Sequence, residues 1–202
     1  MKLSFKGYCP DMTALPKSKL PENAVKFIEP ENEAALFKAL VPYMIPPLLG
    51  VGIAMLIRFL LQGNLGIVLN LNYWWIYLAY LLLCFLGLIV HEFLHAICFP
   101  KKAEVDFYIS ATFWFIYSIT PVSKRRFIAL SLLPNIVLGL IPLMVWIFVS
   151  LSPSIGTILF TVSATMFVSG CGDYMNSWNA FRQMPRGSVQ QGSGMNSYWF
   201  IP

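Results

Sequence analysis

Charged residues are so sparse in the middle of this chain that their positions divide it. Residues 1–33 are polar and interrupted by Pro10, Pro16, Pro21 and Pro30, with no helical or strand period, which predicts an irregular lead-in. Glu31 and Glu33 stand where the first turn of a helix favours negative charge. No charge falls between Lys38 and Arg58, so a first apolar helix is expected from about Ala39 to Leu61. Pro42, Pro46 and Pro47 predict a bent or interfacial start, and Arg58 is placed to snorkel from its far end to the headgroups. Gln62 to Asn72 reads as a polar, uncharged turn. A second span follows from about Tyr73 to Phe99 and stops at Pro100-Lys101-Lys102. The 46 residues from Phe127 to Gly172 then carry no charge at all. As helix they would extend roughly 70 Å, against a hydrocarbon core of about 30 Å. Two spans joined near Ser152-Pro153-Ser154 account for that length, giving about four in all.

Two stretches fall outside this scheme. Val105–Tyr117, VDFYISATFWFIY, is short and rich in aromatic and β-branched residues, which suits a cytoplasmic-side β-hairpin or a re-entrant loop. The residues after Arg186, GSVQQGSGMNSYWFIP, read as a flexible tail with an aromatic end. The predicted organisation is a polar cytoplasmic segment over residues 1–38, a membrane-embedded domain over 39–180, and a flexible cytoplasmic tail over 181–202.

Composition agrees with this pattern. Of 202 residues, 57% are hydrophobic and 11% charged, and the mean hydropathy is +0.67. Soluble domains carry about 25% charge, so the expected fold class is an all-α integral membrane protein, with the short hairpin or loop as its exception. The surplus of 14 Lys and Arg over 9 Asp and Glu suits cytoplasmic loops rather than a nucleic-acid partner. By the positive-inside rule, the basic lead-in, the loop with Lys101, Lys102, Lys124, Arg125 and Arg126, and the tail with Arg182 and Arg186 all face the cytoplasm. The expected surroundings are the lipid bilayer, with both termini cytoplasmic. Residues 1–38 show no early apolar stretch of the signal-peptide kind. The four cysteines (Cys9, Cys84, Cys98 and Cys171) show neither CxxC spacing nor a disulfide framework.

One motif carries chemistry. His91-Glu92-Phe93-Leu94-His95 is an HExxH sequence within the second span, and it holds the only two histidines of the chain. Residues four apart share a helix face, so both imidazoles can hold one Zn2+. Glu92, about 100° round the helix, can take a proton from water at that ion. It is also the only acidic residue between Arg58 and Pro100, and an ionisable group at membrane depth is functional by default. Chance occurrence of HExxH is common on soluble helices, but here it would bury three polar side chains for no purpose.

A catalytic zinc wants a third protein ligand. The acidic residues after the motif are Glu104, Asp106 and Asp173. The first two follow the span directly, in a basic loop where a solvated carboxylate needs no special role. Counting at 1.5 Å per residue puts His91 and His95 roughly 9–15 Å inside the cytoplasmic boundary and Asp173 about 13 Å, so Asp173 is the expected third ligand. Gly170 and Gly172 would allow close helix approach. Asp173 could instead cap its helix or pair with Arg182, and Cys171 would face about 200° away from it. Asn135 could donate to a substrate carbonyl or oxyanion, or simply join two helices; Asn176 could support Asp173.

These residues resemble a family of small bacterial membrane proteins known as putative zincin peptidases. The likeness rests on Leu20-Pro21-Glu22-Asn23-Ala24-Val25-Lys26-Phe27, His91–His95, the stretch Arg125–Pro134, and Gly172-Asp173. More distantly, the layout is similar to site-2 proteases, whose HExxH zinc site is completed by an Asp on a later span. The resemblance implies a bacterial cell membrane, zinc held by His91, His95 and Asp173, Glu92 as general base, and a membrane protein or peptide as substrate. The Asp-Gly order and spaced prolines of the site-2 motif are not reproduced, since Gly172 precedes Asp173 and Tyr174 follows it. A non-proteolytic metal-binding membrane protein and an inactive interaction scaffold are the alternative readings.

Overall fold

The computed structural model describes residues 1–202 except Met12, Thr13, Glu31, Leu69, Thr112 and Phe113, together with the side chains of Glu33 and Leu71. Two compact units are built from interleaved segments. Met1–Phe37, Glu92–Leu133 and Asp173–Pro202 form one, and Lys38–His91 with Pro134–Gly172 form the other.

Helices run through both units, and the second holds no strand among the described residues. Helix α1 (Glu33–Gln62) starts six residues earlier than its charge-free stretch and runs through Pro42, Pro46 and Pro47. An apolar helix tolerates such prolines where neighbouring groups satisfy the freed carbonyls. Asn32 caps it, its Oδ1 accepting the Ala35 N–H at 2.9 Å; the expectation for Glu31 lies outside the described residues. A 3₁₀ turn, Leu71–Tyr73, leads into α2 (Trp74–Ile97). Helix α3 (Lys124–Pro134) passes into a π-helical turn (Asn135–Leu140) and then α4 (Ile141–Phe148). Pro134 has no N–H to give, and beyond it the bonding slips by one residue, with the Ile141 N–H reaching Ile136 O. Helices α5 (Pro153–Ser169) and α6 (Cys171–Gln183) meet at Gly170 with a bend of 42°. Among the described residues three helices are long and apolar enough to cross a membrane: α1, α2 and the run Lys124–Phe148. A fourth results if α5 and α6 count as one bent span.

Ala54, Leu143, Trp146 and Ile147 form the core of this unit, with Val51, Leu65 and Phe160 packed around them. Arg58 belongs to this core and does not snorkel: it is 1% exposed. Its Nε donates to Leu65 O at 2.9 Å, and Nη1 donates to Trp146 O and, at 3.3 Å, to Val149 O. The guanidinium also stacks on the Trp146 ring, 4.7 Å from its centroid. The last carbonyls of a helix have no partner within it, so the end of α4 offers Arg58 an acceptor set inside the protein.

The other unit corrects the all-α expectation, because it holds two sheets. In the first, β1 (Lys2–Tyr8) lies parallel to β3 (Glu104–Ile109), which pairs antiparallel with β4 (Trp114–Tyr117). The expected hairpin within Val105–Tyr117 is therefore present, although Thr112 and Phe113 at its turn lie outside the described residues. The β1 register shifts between Phe5 and Gly7, where Gly7 takes φ +83°. In the second sheet the order is β2 (Val25–Lys26), β7 (Asn196–Phe200), β6 (Val189–Ser193), β5 (Val122–Ser123). The tail after Arg186 is thus an ordered hairpin rather than a flexible end. Gly194, at φ +60°, turns it between Ser193 and Asn196. The lead-in is not irregular throughout either: β1 and β2 are strands, and Phe27 packs with Ala180 and Met184. Lys124 Nζ ties α3 to the end of α6, donating to Phe181 O at 3.0 Å and Met184 O at 2.5 Å.

Candidate metal centre

Helix α2 is an unbroken run of apolar residues until its last two turns, where His91, Glu92 and His95 appear. With 3.6 residues per turn, positions 91, 92 and 95 gather on adjacent stripes. The ligand atoms of these three side chains lie within 4.8 Å of one another, a grouping that could hold a metal ion. Glu92 is 8% and His95 6% exposed, and His91 is half-buried. The end of α2 rests on the first sheet: Ala96, Ala103 and Val105 are buried together, with Leu3 and Ile116 against them.

Each of the two buried side chains is held by a backbone group. His95 Nδ1 lies 2.8 Å from Leu130 O on α3. A carbonyl only accepts, so Nδ1 carries the hydrogen and Nε2 keeps its lone pair when the ring is neutral. That Nε2 stands 3.3 Å from Asp173 Oδ1, with both side chains largely buried. An imine lone pair and a carboxylate oxygen repel at that distance unless a cation lies between or beside them, so this donor set suits a metal. Glu92 Oε2 accepts the Ile116 N–H of β4 at 3.1 Å.

Asp173 reaches His95 because α6 begins at Cys171, which places the carboxylate in its first turn, where helix dipole and ligand geometry agree. Arg182, its other expected partner, lies over the Trp178 ring at 5.8 Å. Cys171 Sγ turns to Ser169 O at 3.6 Å. Asn135 is 1% exposed at the start of the π-helical turn. Its amide fills the space beside Gly170, where an added Cβ would come 1.7 Å from Oδ1. The structure thus brings Asp173 to the second histidine of the motif, and sets Asn135 against the bend between α5 and α6. Leu130 and Ile116 escaped sequence reasoning because they act through backbone atoms, which residue type does not report. The one available signal was Pro134, four residues after Leu130.

The family described as "Putative zincin peptidase" matches residues 84–189, just over half of the chain. The chain belongs to that family. The matched residues include His91, Glu92, His95, Leu130, Pro134 and Asp173, so they take in every group just described except the lead-in and the end of the tail. Zinc is the metal the family implies, and the His91–Glu92–His95 group is where it could be held. No curated protein and no solved structure matches the chain.

Proposed function

We propose that this protein is a membrane-embedded zinc metalloprotease that hydrolyses peptide bonds of membrane or membrane-proximal substrates. The observation that carries the reading is a buried HExxH whose second histidine faces a carboxylate from a distant helix at 3.3 Å. In this reading His91, His95 and Asp173 hold the zinc, and both termini face the cytoplasm beside the basic loops. Bound zinc supplies a Lewis acid that polarises a carbonyl and brings the pKa of its water towards neutrality.

The chain's own residues do the rest. Glu92 keeps Oε2 on the Ile116 amide, which fixes the carboxylate; Oε1 takes a proton from the attacking water and passes it to the leaving amine. Burial of Glu92 and His95 excludes bulk water and strengthens these interactions. Strand β4 ends the order β1-β3-β4, so its outer side runs beside Glu92. Residues alternate along an antiparallel strand, so the side of β4 away from β3 is the one whose Ile116 N–H already bonds Glu92. An extended substrate lying along this side of the sheet would come beside Glu92 as it leaves its own helix.

The test compares wild type, Glu92→Gln and Ile116→Pro in membranes, with zinc per chain measured alongside newly formed peptide N-termini. Zinc near one per chain in all three, with new N-termini only in the wild type, is the expected result. Equal peptide profiles at equal zinc would leave a metal-binding protein without protease activity. If Ile116→Pro cleaves normally, neither the Ile116 bond to Glu92 nor the edge of β4 is needed for cleavage.

A further inference from the structure

We infer that Pro134 is a positioning residue for the metal centre: by lacking an N–H it leaves the Leu130 carbonyl to His95. The inference rests on His95 being a metal ligand, as in the function proposed above, and adds the origin of its orientation.

In a helix the N–H of each residue bonds to the carbonyl four residues before it. Residue 134 is the last of α3, and the carbonyl four before it is that of Leu130. Proline has no hydrogen on its nitrogen, so the α-helical bond to this carbonyl cannot form. Leu130 is buried, at 7% exposure, and a buried carbonyl left without a donor costs roughly 1–3 kcal/mol. His95 supplies the donor: its Nδ1 lies 2.8 Å from Leu130 O. The bond requires the hydrogen on Nδ1, which turns Nε2 and its lone pair to Asp173 Oδ1 at 3.3 Å. Such bonds to the second ring nitrogen of a ligating histidine are worth about 10–100-fold in metal affinity.

A non-proline residue at 134 would have an N–H in the right place to take the carbonyl back. The proline is itself almost fully buried, so ring packing is the competing explanation, and the two roles predict different results. Proline within a helix costs about 3 kcal/mol relative to alanine. Pro134→Ala should therefore leave the metal-free protein as stable as the wild type or more so, while weakening its hold on metal. A loss from packing alone would lower both.

The experiment titrates metal-free, detergent-solubilised full-length chain with Co2+, followed by its visible absorption. It compares wild type, Pro134→Ala, and the backbone-ester counterpart of that variant, with lactic acid in place of alanine. The ester has alanine's side chain but, like proline, no N–H. The expected outcome is at least tenfold weaker Co2+ binding in Pro134→Ala, with recovery to within about threefold of wild type in the ester. The downfield Nδ1–H proton resonance of His95 should follow the same order, present in wild type and ester and lost in Pro134→Ala. Weakened binding in both variants, whether by misfolding or lost packing, overturns the inference, as does unchanged binding in both. Failure of the wild type to bind Co2+ or zinc would instead overturn the metalloprotease reading beneath it.

Discussion

Replacing Arg58 should be among the most damaging single changes outside the metal centre. The guanidinium is 1% exposed and gives hydrogen bonds to three carbonyls, those of Leu65, Trp146 and Val149. Removing it leaves these acceptors in an apolar core, where each unsatisfied group costs about 1–3 kcal/mol. The stacking on Trp146, at 4.7 Å, adds about 2 kcal/mol when desolvated. Against this, Arg58→Met spares the burial of a charge, which recovers several kcal/mol. The balance is a loss of about 3 kcal/mol. Arg58→Lys sharpens the test, because it keeps the charge and loses the planar fork; a lysine cannot span Leu65 at one side and Trp146 at the other. Its cost should equal or exceed that of methionine. Reversible unfolding in mixed detergent, followed by circular dichroism, measures both. If Arg58→Lys stays within 0.5 kcal/mol of wild type, roughly the ordinary noise of a surface substitution, then charge alone matters and the capping argument fails. If both variants are silent, the arginine does no structural work.

Three further outcomes follow from distances and burial elsewhere. Gly170→Ala would drive a Cβ to 1.7 Å from Asn135 Oδ1, so it should cost about 1–3 kcal/mol by overpacking; Asn135→Ala in the same chain should relieve part of it, read as coupling in a double-mutant cycle of unfolding free energies. Asp173→Ala should weaken zinc binding at least tenfold while Glu92→Gln leaves it intact, as measured by competition with a chelating dye. Glu29, whose Oε1 accepts the Ser197 N–H at 2.6 Å, is pushed by burial from 4.5 up to about 7, partly offset by that bond and by Lys26. The folded state therefore binds the extra proton between those values, and stability should fall as pH rises from about 4.5 to about 7, by at most about 3 kcal/mol at 1.36 kcal/mol per unit. Unfolding midpoints across that range should show the slope in wild type and not in Glu29→Gln.

Local signals were enough for the helices and the motif. Uninterrupted apolar runs set α2 and the two halves of the 127–172 stretch, and the period of the helix alone placed His91, Glu92 and His95 together. Asp173 could be singled out by counting residues back from the charged ends of the apolar runs, and the structure sets its Oδ1 3.3 Å from His95 Nε2. What escaped was everything fixed by distant partners. Strand β1 pairs with a strand about a hundred residues later, and nothing in its own polar, proline-flanked sequence says so. The tail misled for a different reason: its Gly, Ser and Gln composition resembles a linker, yet Gly194 between VQQGS and NSYWF is the signature of a two-residue hairpin turn. Arg58 was misread because an arginine near a span end usually reaches for the surface, and only the position of α4 showed that acceptors lay inside.

The four-stranded sheet also sets an order in time. Among the described residues strand β2 pairs with β7 alone, and β5 with β6 alone, so two strands made early wait for a hairpin made more than sixty residues after β5. A ribosome emits roughly 5–20 residues each second, which separates the synthesis of β5 from that of β6 by several seconds. During that interval α1 and α2 are complete while Phe27 still lacks Ala180 and Met184. A nascent chain stalled before residue 189 would already hold the HExxH helix, strands β1, β3 and β4, and Asp173, so the metal centre is synthesised in full while the four-stranded sheet still lacks the hairpin that closes it.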